Sequence, residues 1–158
     1  MDAVPRAKRT ALLLATLLAL VAPGSMASAA VPQGVWMVDG KAALQIYDCN
    51  GQMCGRLRWL DKPRDARGER KRDKNNPDPT LRQRELCGLI LIWDLQPTGP
   101  GRWEGGHFYN PESGKTYSLV TEHTSSDQIV ARVYDGFTLI GETKTLHRTH
   151  AGTSDGWC

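Results

Sequence analysis

The stretch from Trp103 to Tyr117 constrains this chain more than any other. Trp103, Phe108, Tyr109 and Tyr117 are strand formers. Between them, Asn110 to Gly114 supplies turn chemistry, with Pro111 fixing φ and Gly114 permitting a positive one. Gly105 and Gly106 stand where a strand should continue. Glycine pairs in mid-strand mark a bulge, a sharp bend or a close backbone approach. A bent strand entering a tight hairpin is the unit from which small barrels are made, so the fold is expected to be all-β.

The first 29 residues read as a signal peptide. Arg6, Lys8 and Arg9 form a basic start, Ala11 to Ala22 an apolar run, and Ala27-Ser28-Ala29 the small-residue pattern before a cleavage point. That run is too short to span a bilayer. The chain beyond it, 30–150, is expected to be one domain, with 151–158 a flexible tail. The leader holds three of the 20 basic and one of the 17 acidic residues, so the remainder carries a net charge of only about +1. So small an excess argues against nucleic acid as a partner, and no second apolar segment calls for membrane insertion. The expected location is therefore the periplasm or the exterior.

Four cysteines follow the leader, and an exported chain keeps disulfides. Cys49 and Cys54 flank a four-residue loop and are expected to be bridged, with Cys87 and Cys158 paired or free. A two-residue Asn50-Gly51 turn would set Cys49 opposite Gln52 and leave the two sulfurs diagonal, which favours free thiols.

Alternation marks the strands. Val35 to Val38 precedes an Asp39-Gly40 hairpin signal, and the segments around Leu44 to Tyr47 and Gly55 to Leu60 show period two. Leu86 to Leu95 is nearly all apolar, as in a strand buried on both faces. Gln128 to Tyr134 and Phe137 to Arg148 complete eight or nine strands, joined by Asp135-Gly136. Asp61 to Asn76 breaks the pattern. Its many Lys and Arg residues form either a stripe for polyanions or a solvated, mobile loop, and the interleaved Asp61, Asp65, Glu69 and Asp73 favour the loop. Asp78 before Pro79 reads as an N-cap opening a short helix from Pro79 to Glu85.

Little in the chain carries recognisable chemistry. Ser113 to Thr116 imitates the end of a phosphate loop but lies in a hairpin. His147 and His150 are separated by strand parity and cannot jointly chelate, and no metal or cofactor signature appears. Glu104 and His107 form a weak acid–base candidate, because only a bulge at Gly105-Gly106 would bring them to one face. Trp59, Trp103, Tyr109 and Tyr117 either line a ligand cavity or fill the core, since an eight-stranded barrel does both.

Taken together, Gly34-Val35-Trp36, Cys49-x4-Cys54-Gly55, Trp59-Leu60, Asn76-Pro77-Asp78, Leu81-x-x-Arg84, Cys87-Gly88-Leu89, Trp103-Glu104-Gly105-Gly106, Tyr109-Asn110-Pro111 and Gly114 to Tyr117 resemble the DUF2147 family of exported bacterial proteins. The resemblance spans residues 34–148 and implies no catalytic residues. Gly34-x-Trp36 with Arg148 on the last strand is also similar to the closure of a lipocalin-type barrel. The resulting expectation is an all-β, antiparallel up-and-down barrel of about eight strands with one short helix, closed by Trp36 and Arg148. Three functions follow in order: binding of a small apolar or amphiphilic ligand, a filled envelope module that contacts other proteins, and an enzyme using His107. No particular protein partner is indicated.

Overall fold

The computed structural model describes residues 30–149 except Thr138. The leader, the tail and Cys158 lie outside the described residues.

Eight strands run up and down around a closed barrel: β1 (Gly34–Val38), β2 (Ala42–Cys49), β3 (Gln52–Leu60), β4 (Ile90–Gly99), β5 (Arg102–Asn110), β6 (Lys115–Ser125), β7 (Gln128–Tyr134) and β8 (Gly141–Thr149). Each strand pairs with its sequence neighbours, and β1 pairs with β8, Trp36 opposite Arg148 and Val38 opposite Leu146. Closure removes every sheet edge.

Alternation sorts the side chains. Trp36, Leu44, Ile46, Met53, Leu57, Ile92, Leu95, Trp103, Leu119, Ile129 and Leu146 point inward and form one buried cluster. Two inward glycines let large neighbours cross the axis. A Cβ on Gly106 would lie 2.3 Å from Leu95 Cγ, and one on Gly55 would lie 3.2 Å from Ile92. The lower and middle barrel is thus packed with side chains.

The Gly105 bulge is real: Trp103 faces Thr121 and Gly106 faces Leu119, one residue too many on β5, with Gly105 at φ 72°. On β4, Asp94 sits at φ 61° beside it, so both strands of this pair bend together. The β2–β3 turn is the two-residue type, with Asn50 at φ 63°, Gly51 at φ 81° and Cys49 opposite Gln52. The diagonal bridge Cys49–Cys54 nevertheless forms, with Cα atoms 6.0 Å apart. The twist of a two-stranded ribbon brings one diagonal within disulfide reach, which corrects the inference that such a turn leaves thiols free. Cys87 is disulfide-bonded as well.

Three segment boundaries differ from the sequence reading. The fourth strand begins at Ile90 and runs through Pro97 to Gly99, because Leu86 and Leu89 pack on the core from the preceding loop instead. The expected helix is a single 3₁₀ turn, Pro79–Leu81, capped by Asp78 through Thr80. The last strand starts at Gly141, leaving Phe137, Leu139 and Ile140 in an exposed loop. The charged segment from Asp61 to Asn76 is largely exposed, as expected, with Asp73 and Asn76 buried within it. Segment 61–89 folds back on itself through the bridges Arg64–Arg70 and Arg72–Glu85 and is docked to the barrel through Asp73.

Candidate functional site

The two ends of the barrel are built differently. At the end where β1 and β5 start, Trp36 is fully buried and its Nε1 donates to the Pro32 carbonyl at 3.0 Å. The Arg148 guanidinium lies over the indole, 4.2 Å from the ring centroid. It donates to the carbonyls of Ser126 (2.7 Å) and Gln33 (2.8 Å), stapling the β6–β7 turn to the chain start. Gly34 is obligatory there, since a Cβ would meet Arg148 Nη1 at 2.4 Å. His123 packs edge-on against Trp36, centroids 5.9 Å apart, with Nε2 buried and without a partner among the described residues. Burial and the Arg148 charge lower its pKa, against a hydrogen bond to the Ser126 backbone. Plugged by an indole under a cation, this end is closed.

The opposite end is mixed in character. Phe108 and Tyr117 pair across β5–β6 on the inward face, half-buried, with Val133 on the neighbouring β7 and Val38 on β1 at the same end. Lys144, on the inward face of β8 opposite Ala131, bridges Asp39 and Glu142, each at 2.7 Å. The hydrogen bonds it donates to these two carboxylates hold its pKa well above the ordinary lysine value. Beside the rim, Phe137, Leu139 and Ile140 are 77%, 90% and 73% exposed. Half-buried apolar side chains thus stand beside one ion-paired cation at this end.

A third constellation ties the charged loop to the outside of the barrel. Asp73 is fully buried. Its carboxylate accepts the Tyr109 hydroxyl (2.6 Å), the Asn76 amide (2.8 Å) and the Arg84 guanidinium through Nε (2.9 Å) and Nη2 (2.8 Å). Burial pushes the Asp73 pKa up, but the hydrogen bonds from Tyr109, Asn76 and Arg84 outweigh it and leave it below the usual value. The same contact, after burial, raises the Tyr109 hydroxyl. Next to this node Asn75 donates to the Glu112 carbonyl at 2.7 Å. Asn75 O rests where a Cβ on Gly114 would be, at 1.9 Å. Every hydrogen-bonding partner here is satisfied, so the node holds structure and leaves no group poised to react.

The aromatics expected around one cavity are dispersed. Trp103 is inward and buried in the core, and Tyr117 is inward at the end opposite Trp36. Tyr109 faces outward into the Asp73 node, and Trp59, opposite Ala43, lies on the outer face. They do not line a common space. Glu104 and His107 do share the outer face, because the Gly105 bulge resets parity, but no hydrogen bond or ion pair joins them. Glu104 is held by Arg102, and His107 lies against Trp93, centroids 5.6 Å apart. Among the described residues, no group of three or more His, Cys, Asp or Glu could hold a metal. The sequence reading passed over Lys144 and its two carboxylates. Counting parity back from Leu146 would have placed Lys144 and Glu142 inward at the rim.

A closed eight-stranded up-and-down barrel, plugged at one end by a tryptophan under an arginine from the last strand, is a lipocalin-like barrel. Residues 34–148 match the model of the family described as "Uncharacterized protein conserved in bacteria (DUF2147)", and the chain belongs to that family. Among solved structures it is similar to protein HP1028 from the human pathogen Helicobacter pylori, described as belonging to the lipocalin family. The identity is 27% and the TM-score 0.63, over 74% of this chain and 82% of that one. No curated protein matches the chain.

Proposed function

We propose that this is an exported β-barrel protein that takes up a small apolar or amphiphilic ligand at its open end. The observation that carries the reading is the asymmetry of the barrel: one end is sealed by Trp36 and Arg148, while the other leaves Phe108, Tyr117 and Val133 half-buried around an inward lysine. Barrel mouths are common ligand sites. The packed middle confines the ligand to the rim, where an aliphatic segment would lie on Phe108 and Tyr117 and an anionic head would compete for Lys144. Export is supported by the leader pattern and by the oxidised Cys49, Cys54 and Cys87, since cystines persist outside the reducing cytosol.

The filled interior favours a second reading, an envelope module whose exposed Phe137, Leu139 and Ile140 contact another protein. An enzyme using His107 draws no support from its packing against Trp93.

Native mass spectrometry of protein isolated from its own envelope separates the two. The ligand reading expects a small-molecule adduct that disappears in Tyr117→Ala while the barrel stays folded. A bare protein that retains a protein partner instead would refute it in favour of the second reading.

A further inference from the structure

The folded charged loop encloses a cleft of about 350 Å³ on the outside of the barrel. Its walls carry Arg67, Arg70, Arg72, Lys74 and Arg82, against only Asp65 and Glu69. Arg70 is shared with a second cleft of about 230 Å³, which adds Arg56, Arg58 and a single carboxylate, Glu85. The two clefts, which share Arg70, together carry seven cations and three carboxylates, whereas the chain beyond the leader is almost neutral. Charge is concentrated here at the expense of the rest of the molecule.

The cations are also held in place. The Asp73 node fixes residues 73, 76 and 84 to the barrel. Arg72 Nη1 donates to the Gln83 carbonyl at 2.8 Å, and Arg82 Nε donates to the Asn76 carbonyl at 2.7 Å. Each of these bonds orients a guanidinium, and in Arg82 both terminal nitrogens remain without a protein partner among the described residues. Lys74 makes no hydrogen bond or ion pair among the described residues and acts on Asp65 only through space. A solvated face would scatter such side chains. Here, a buried, fully satisfied polar node beneath the loop sets their spacing.

We infer that this cleft is an anion-binding site for a ligand carrying two or more phosphoryl groups. Oriented guanidinium forks match phosphate oxygens in pairs, and an ammonium supplies the less directional contact. The volume is in the range of small-molecule sites. A concave surface of one sign focuses the field and draws in multivalent ions ahead of monovalent ones. This site is independent of the barrel mouth, and its failure would leave the reading of the mouth untouched.

Isothermal titration of the purified protein with sodium triphosphate, beside orthophosphate, is the test. Saturable triphosphate binding is expected, tighter than orthophosphate by at least roughly tenfold and weakening steeply with salt. Lys74→Gln, which removes no contact of the fold, should lower the affinity about fivefold, and Arg72→Gln more. Arg102→Gln, at the other end of the barrel, should leave it unchanged. Co-sedimentation with phosphatidylglycerol vesicles, lost in Lys74→Gln, would place the phosphoryl groups on a membrane, and its absence beside triphosphate binding places them on a soluble anion. No response to either probe overturns the inference. So does a response that Lys74→Gln and Arg72→Gln leave unaltered, or equal affinity for orthophosphate.

Discussion

Replacing Asp73 by Asn tests how the charged loop is held. The carboxylate collects three donors, the Tyr109 hydroxyl, the Asn76 amide and the Arg84 fork, at 2.6–2.9 Å in a site without solvent exposure. An asparagine offers one acceptor oxygen, so its own NH2 must face either the Arg84–Asn76 pair, donor against donor, or the tyrosine. Turned toward the tyrosine, it meets an oxygen that already accepts from Asn76 at 3.1 Å, and the phenolic proton is left without its acceptor. Breaking a buried charge pair costs about 3–5 kcal/mol. Arg84 retains partial solvent access, which places the loss near the lower bound, about 3 kcal/mol. For a domain of this size that lowers Tm by about 10 °C. Urea unfolding of Asp73→Asn beside Tyr109→Phe, which removes one hydrogen bond for about 1–2 kcal/mol, measures it. The pH profile adds a sign. The folded Asp73 pKa lies below its ordinary 3.8, so its stabilisation is present above that pH and is lost as pH falls toward the folded value. The variant should lack this acid limb. A loss under about 1 kcal/mol, with amides of residues 71–76 still protected from exchange, would refute the node as the anchor.

Trp36→Ala should cost about 3–5 kcal/mol by emptying the plug, and Arg148→Lys less, because the ammonium keeps the charge but not the planar stack or both carbonyl contacts; chemical denaturation measures both. His123 has a folded pKa below 6.5, so stability should hold above that pH and decline as pH falls through it, and His123→Gln should flatten this limb, distinct in its range from that of Asp73. Gly114→Ala, at φ 68° with Asn75 O in the way, should free the loop and raise amide exchange across 73–76 while the barrel strands stay protected.

Strand parity and turn residues made the barrel readable, because hairpins such as Asp39-Gly40 and Asn110 to Gly114 are decided locally, whereas the two-residue Asn50-Gly51 turn replaces the four-residue loop expected between Cys49 and Cys54. The closure by Trp36 and Arg148 was readable only through family resemblance, since nothing local in 34–36 points to residue 148. The docking of the exposed charged loop was not legible, for a physical reason. Its order rests on one long-range set of hydrogen bonds, Tyr109 to Asp73 above all, and composition cannot distinguish a buried aspartate from a solvated one. Parity also misled at Leu86 and Leu89, which reach the core from a loop, and at Phe137, Leu139 and Ile140, which lie exposed outside the sheet. The mouth was half-visible: Phe108 and Tyr117 stand out as aromatics, whereas Lys144 looks like any surface lysine until its strand register is known.

Methyl NMR with dodecanoate as the probe tests most directly whether an amphiphile is held at the open end. Saturable shifts of the Val38, Leu60 and Val133 methyls around the mouth are expected, with those of Ile46, Leu95, Leu119 and Ile129 in the packed middle unmoved. Shifts in the core methyls would mean that the barrel opens along its axis, and an absence of shifts would mean that the mouth binds no such ligand. Either result would contradict the ligand reading.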